Sequence, residues 1–294
     1  MPPRFAEKYI SARGIRTRYL ELGSGEPLVF IHGGQYGTYD NAYAWSLNVP
    51  EIARHFRAIA FDKLGMGFTD APSSPDKYTM RATVDHAIDF LEELGIERAN
   101  LVGHSRGALV AARIAIERPA SVKTLTVIDS NTLAPTETTA VPGDFYLKLE
   151  AQTRDPETIQ SVQAEPIANS FSTEHITADM VEQWYRVAQL PSIRRMKQEI
   201  REMGGMRNLM PDLKKLKEQT LEGMAEGKLK APTLIVWGYN DPSAPVPLSF
   251  KLFEIVARGT AASQLHIFNR AGHYCFREHA NDFNSVAINF IRQS

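Results

Sequence analysis

Ser105 stands in Gly103-His104-Ser105-Arg106-Gly107, at the end of the apolar run Leu101 to Gly103 and before a helical stretch. A serine hydroxyl on a tight strand-to-helix turn projects beyond its sheet edge. Flanking glycines let the neighbouring strand and helix approach closely. The helix that follows aims its first N–H groups at the same spot, which favours developing negative charge. Such a serine is a poor nucleophile at its ordinary pKa and needs a base, and the base needs an orienting acid. The chain has eight histidines. His273 lies in a loop just after the last predicted strand, within Arg270-Ala271-Gly272-His273. In an open parallel sheet, loops at the carboxyl ends of strands meet in one crevice, so His273 is expected beside Ser105. A plain surface-loop histidine is the alternative. His55, His86 and His175 read as surface positions, His266 lies inside a strand, and His279 starts a helix.

Asp241 follows the strand that ends at Trp237-Gly238 and is the favoured acid; Asp129, closing Val127-Ile128-Asp129, is its competitor. Asp62 also ends a strand, but Lys63-Leu64-Gly65-Met66-Gly67 after it reads as a structural turn. Attack on a carbonyl creates an oxyanion, which needs preorganised donors. Ile31-His32-Gly33-Gly34 ends a strand with two glycines, and the N–H groups of Gly34 and Arg106 form the natural pair.

These residues require a scaffold of alternating strands and helices. Ile15 to Leu22 alternates as a half-buried antiparallel strand does. Leu28 to Ile31 and Ala58 to Phe61 are continuous apolar runs, as expected for strands covered on both faces. Tyr78 to Leu94 has helical spacing and ends at Gly95. Leu101 to Gly103 is then a strand, Ala108 to Ile116 a helix and Leu125 to Ile128 a strand. The pattern breaks near Ser130, and the chain is helical and rich in Glu, Gln, Arg and Met to about Lys230. Met196 to Leu221 is expected to form one or two surface helices interrupted at Gly204-Gly205 and Pro211. Strands return at Pro232 to Trp237 and Gln264 to Phe268, with a closing helix over Asp282 to Ile291. The fold class is therefore α/β, a mostly parallel sheet flanked by helices, with residues 1–130 and 231–294 as core and 131–230 as a helical insertion.

The composition fits. Of 294 residues, 43% are hydrophobic and 23% charged, ordinary for a globular chain. Lys and Arg number 33 against 34 Asp and Glu, a net charge of -1, which offers no electrostatic footprint for nucleic acid or an anionic membrane. The lone Cys275 excludes an intramolecular disulfide and a cysteine-rich zinc site and fits a reducing cytosol. No run approaches the ~18 apolar residues of a membrane span, and no signal-peptide core is seen at the start. The expectation is a cytoplasmic protein without metal or cofactor, acting on a small carbonyl compound. A homodimer or higher oligomer is left open.

HGG at 32–34, DKLGMGFTDAP at 62–72, GHSRG at 103–107, WGYND at 237–241 and GHY at 272–274 together resemble the α/β-hydrolase superfamily. The order Ser105, Asp241, His273 is the order expected of that fold. The resemblance implies Ser105 as nucleophile, His273 as base, Asp241 as acid, and 131–230 as a cap over the site. Within the superfamily the chain is most similar to the meta-cleavage product hydrolases, which split a carbon–carbon bond in vinylogous 1,5-diketones of the 2-hydroxy-6-oxo-hexa-2,4-dienoate type during aromatic degradation. His175-Ile176-Thr177 to Gln183 and the stretches QLHIF and HANDFNSVAINFI belong to that likeness.

Three departures stand out. The family usually has Asn where this chain has His104, Trp where it has Tyr274, and a carboxylate-binding cap Arg where it has Trp184. Gly33, His104, Trp184, Arg186 and Tyr274 are thus the expected substrate-binding positions. Arg186, Arg194 and Arg195 are candidates for the missing guanidinium, with a solvated cap arginine the equal alternative for each. A carboxylesterase or lactonase with the same triad is the other enzymatic reading, and a ligand receptor on this fold the non-enzymatic one. Dehalogenases and epoxide hydrolases of the fold need a carboxylate where Ser105 stands.

Overall fold

The computed structural model describes residues 5–135, 149, 157–204, 210–260 and 262–294. Its strands are β1 (Glu7–Ala12), β2 (Ile15–Leu22), β3 (Pro27–Ile31), β4 (Arg57–Phe61), β5 (Ala99–His104), β6 (Val122–Ile128), β7 (Thr233–Gly238) and β8 (Ser263–Phe268). They form one sheet in the order β1-β2-β4-β3-β5-β6-β7-β8. β2 is antiparallel to both neighbours, and every pairing from β4 to β8 is parallel.

The continuous apolar runs lie where a parallel sheet needs them. β5 and β7 are buried along their whole length, since helices cover both faces there. The period of two then sorts the side chains. Val29, Ile31, Ile59, Phe61, Leu101, Val127, Ile235 and Trp237 enter one hydrophobic core. Leu28, Phe30, Ala58, Ala60, Val102, Ile128, Leu234 and Val236 enter the other.

The helices are α1 (Val49–Ile52), α2 (Met80–Glu93), α3 (Arg106–Glu117), α4 (Ile159–Asn169), α5 (Ala178–Ala188), α6 (Pro191–Glu202), α7 (Met210–Ala225), α8 (Pro247–Gly259), α9 (Cys275–Glu278) and α10 (Ala280–Gln293). α2, α3, α7 and α8 supply the first core and α1 and α10 the second. α2 begins where Thr79 caps it, its hydroxyl accepting from Ala82 N at 3.1 Å.

Several expectations shift. β1 and α8 were not legible: β1 is an exposed edge strand, and α8 opens at Pro247 after a turn-rich stretch. Pro211 does not interrupt a helix but sits in the first turn of α7, where a missing N–H costs nothing. Gly204 ends the described part after α6, and Gly205 lies outside the described residues, as does much of 136–156 in the anticipated cap. Within 131–230, α7 lays Leu213, Leu216 and Met224 into the first core. α4, α5 and α6 instead pack on loops that follow strands: Asn169 of α4 accepts from His273 N, Trp184 of α5 lies near Tyr274, and Met196 of α6 clusters with Tyr36 and Leu64. His86 and His175, expected on the surface, are buried. His86 shares a 2.8 Å hydrogen bond with Thr17 inside the core.

Candidate active site

β3, β5, β6, β7 and β8 each run into a segment that carries one of the anticipated residues. At the end of β5, Ser105 adopts φ 53 and ψ -122, a left-handed conformation that a non-glycine residue rarely takes. Three contacts hold it there. Ser105 N donates to Ile128 O at 2.9 Å, Ser130 Oγ donates to Ser105 O at 2.6 Å, and α3 starts at the next residue. The strain is tolerable because Gly107 lets the helix approach. A Cβ at Gly107 would lie 2.2 Å from Ile31 O, inside the neighbouring strand's end.

His273 and Asp241 meet at 2.7 Å between Nδ1 and Oδ2. The other oxygen of Asp241 accepts from Ser243 N at 2.7 Å, Ser243 Oγ at 2.9 Å and Ala244 N at 2.8 Å, so the carboxylate is fully engaged and fixed. Burial pulls the His273 pKa down, but the charge and hydrogen bond of Asp241 outweigh it, helped by Asp129 and Glu165, and lift it to about 9. With Nδ1 committed to Asp241, Nε2 is the ring nitrogen left over. No hydrogen bond joins Ser105 Oγ to His273 in this structure. The two loops are instead tied through His104, whose Nε2 lies 2.8 Å from His273 O and whose ring sits 4.6 Å from that of His273. Burial, then the neighbouring His273, pushes the His104 pKa well down. His104 is thus a neutral donor to that carbonyl.

Asp129 ends β6 with a φ of 42 and accepts from Gly238 N at 2.8 Å. Burial and the nearby Asp241 push its pKa well up, which favours a neutral acid. It makes no hydrogen bond to the His273 ring. Cys275, against Asp129, is likewise pushed well up by burial and by that carboxyl, so it is a buried thiol rather than a thiolate.

On the opposite side, the residues after β3 are shaped by two groups that the sequence did not single out. His32 Nδ1 lies 2.9 Å from Gly33 O, and His32 Nε2 accepts from Lys63 N at 3.1 Å. Donation from Nδ1 polarises the peptide whose N–H belongs to Gly34. The Lys63 ammonium donates to Gly34 O at 3.0 Å. Burial pulls its pKa down to about 7. A small cavity opens here, lined by Gly34, Tyr36, Lys63, Met66, Tyr78 and Arg106. Gly33 packs against Ser105 and His104, since a Cβ on it would come within 3.1 Å of Ser105 Cβ.

The anticipated binding residues divide. Tyr274 and Trp184 are buried and face each other, ring centroids 6.4 Å apart, and Tyr274 stacks on His175 at 5.6 Å. Arg186 is not at this site: it is half-exposed, donates to Gln183 Oε1 at 3.2 Å and lies over the Phe68 ring at 5.0 Å. Arg194 and Arg195 are exposed on α6, engaged with Gln189 and Glu199. The periodicity of α5 and α6 turns these guanidiniums outward. Glu165 of α4, unmarked in the sequence, accepts from Tyr274 Oη at 2.6 Å instead. Asn169, which ends that helix, accepts from His273 N at 2.7 Å, so the helix is clamped onto the histidine loop. Among the described residues no cluster of His, Cys, Asp and Glu could hold a metal ion, and no helix is long and apolar enough to cross a membrane.

Comparison with known proteins agrees with this geometry. A 2-hydroxymuconate semialdehyde hydrolase of Pseudomonas sp. (strain CF600) is 29% identical over 292 residues, 97% of this chain and 93% of its own. A 2-hydroxy-6-oxo-6-(2'-aminophenyl)hexa-2,4-dienoic acid hydrolase of Metapseudomonas resinovorans is 27% identical, covering 98% and 91%. Among solved structures, a meta-cleavage product hydrolase from Pseudomonas fluorescens IP01 superposes with a TM-score of 0.78 at 26% identity and covers 98% of each chain. The family model for the alpha/beta hydrolase fold matches residues 26–280. The strand order, the strained serine turn and that match lead to one assignment: the chain belongs to the α/β-hydrolase fold family.

Proposed function

We propose that the protein is a cofactor-independent serine-type hydrolase that cleaves a carbon–carbon bond in a vinylogous 1,5-diketone, with Ser105, His273 and Asp241 as its triad. The Asp241–His273 hydrogen bond beside the strained Ser105 turn is the observation that carries the reading. The names of the similar hydrolases support the substrate class.

The dienol of the substrate first ketonises. His273 then takes the proton of Ser105, whose Oγ adds to the carbonyl carbon. The N–H groups of Gly34 and Arg106 hold the oxyanion, as donors in a dry site do. Collapse breaks the adjacent carbon–carbon bond. The leaving carbanion, delocalised as a dienolate, takes the proton from His273, and water then releases the acyl group from Ser105 as a carboxylic acid. In the variant of this chemistry that uses water directly, His273 activates water in place of Ser105. Asp241 fixes the tautomer and stabilises the imidazolium throughout.

Helices α4 to α6 are read as the roof of the site. A second reading, a carboxylesterase or lactonase with the same triad, is favoured by one feature: Trp184 stands where a carboxylate-binding arginine is expected, and the candidates Arg186, Arg194 and Arg195 turn outward. The deciding experiment is a panel of a meta-cleavage dienoate, followed by loss of its visible absorbance, against short aryl esters. Turnover of the dienoate is expected. Turnover of esters alone would overturn the carbon–carbon assignment and leave the triad standing.

A further inference from the structure

The end of the cleft beside His273 is acidic. Glu165 receives the Tyr274 hydroxyl at 2.6 Å on Oε2 and the Asn169 amide on Oε1. Both partners are buried, Tyr274 at 2% and Asn169 at 0% exposure, so the carboxyl is fixed. Glu165 itself is partly accessible. The charged and titratable groups around it are Asp40 from the loop after β3 and His273 and Tyr274 from the loop after β8. The cation nearest Tyr274 is Arg277 of α9, whose guanidinium is taken up by Ala44 O, Ser46 Oγ and His175 O; Lys63 donates to Gly34 O, and Lys197 of α6 is paired with Glu157 and donates to Tyr39 Oη at 2.8 Å.

We propose that Glu165, held by Tyr274 and Asn169, selects substrates by charge: its end of the cleft takes a neutral hydrogen-bonding or cationic group, and admits a carboxylate only while Glu165 carries a proton. The inference rests on Ser105 and His273 being the reacting pair, and it specifies what lies next to them. Two carboxylates in contact in a poorly hydrated site repel strongly, whereas a shared proton converts the pair into a charge-assisted hydrogen bond. Burial, with Asp40 adding to it, pushes the Glu165 pKa up to about 7, against the hydrogen bond from Tyr274 and the charge of His273. The exchange between the two states therefore falls near neutrality.

The test is the ratio of KM for a meta-cleavage dienoate to KM for its methyl ester, measured from about pH 6 to about pH 8.5 in wild type and Glu165→Gln. Ionisation of His273 affects both substrates and cancels in the ratio. In wild type the ratio is expected to rise about tenfold per pH unit above about 7, and in Glu165→Gln to stay flat. A flat wild-type ratio, or the same slope in both proteins, would overturn the proposal. Tyr274→Phe gives an independent reading should Glu165→Gln fail to fold. Loss of the hydroxyl that supports the anion moves the inflection to higher pH, and an unmoved inflection would count against the idea. Should neither dienoate be turned over while aryl esters are, the carbon–carbon reading fails. Charge selection is then measured from the inhibition constants of the acid and its methyl ester against aryl-ester hydrolysis, with the same slopes expected.

Discussion

Ser105 joins a reactive hydroxyl to a backbone conformation that costs about 1–3 kcal/mol to hold. Ser105→Ala keeps the turn and removes the proposed nucleophile. It is expected to lower kcat by about a thousandfold or more, with a melting temperature within a few degrees of wild type. The choice between the two acids rests on the 2.7 Å contact of Asp241 with His273 Nδ1, whereas Asp129 is engaged by Gly238 N and the Cys275 thiol. Asp241→Asn is expected to cost about a thousandfold or more in kcat and Asp129→Asn less than about tenfold. The reverse order in steady-state kinetics would move the acid to Asp129. The pH dependence has a definite sign. His273 must be unprotonated to act as a base, and its pKa is lifted to about 9, so kcat/KM for an uncharged ester is expected to rise with pH across the alkaline side of an ordinary histidine. Removing the anion in Asp241→Asn should shift that inflection downward. An inflection that stays in place would show that another group titrates.

At the scale of elements, two junctions tie α4 and the segment before α5 to loops that follow strands of the sheet. Arg277 of α9, 2% exposed, donates to Ala44 O at 2.6 Å, Ser46 Oγ at 3.2 Å and His175 O at 2.8 Å. It ties the short helical turn at Ala42–Trp45, on the core side, to the segment before α5. Burial lowers its pKa to about 10, still far above neutrality, so the fork stays charged and every acceptor stays occupied. Arg277→Ala leaves a cavity and unpaired buried acceptors. A loss of about 3 kcal/mol or more is expected by denaturant titration. Arg277→Lys retains the charge but not the planar fork, and is expected to recover only part of it. The second junction is Gly272, where a Cβ would lie 2.3 Å from Asn169 O at the end of α4. Gly272→Ala must displace either that helix or the loop that carries His273. Activity is therefore expected to fall more than about tenfold while stability changes by about 1–3 kcal/mol, the usual cost of overpacking. Wild-type kinetics in this variant would mean that the clamp is not needed for catalysis.

Over the whole molecule, legibility follows the range of the interactions. The parallel strands were legible because burial on both faces demands unbroken apolar runs, as in β5 and β7. The Ser105 and Asp241 positions were legible because each lies just past such a run, and the His273 position because it follows the last strand, the half-buried edge strand β8. Glu165 was not, since nothing local marks a glutamate whose role depends on a tyrosine 109 residues away. Arg186 misled for the mirror reason: a guanidinium at a plausible chain position faces outward once α5 is turned by its apolar stripe. The site is thus set in one half by local pattern in the sheet and, in the half proposed as its roof, by contacts remote in sequence. That division has a dynamic consequence. The strands share two large buried cores, whereas α4 reaches the histidine loop through a few polar contacts, Asn169 with His273 N and Glu165 with Tyr274. Few buried contacts mean that local opening is easier there. A ligand that fills the cleft bridges both parts, so in hydrogen exchange by mass spectrometry an unreactive dienoate analogue bound to Ser105→Ala is expected to slow α4 and the segment around His273 together. Strands β3, β5, β6 and β7 should remain unchanged, already protected near the global limit. Protection of the histidine segment alone would show that the roof does not close on the ligand, and would separate the charge-selecting end from the reacting pair.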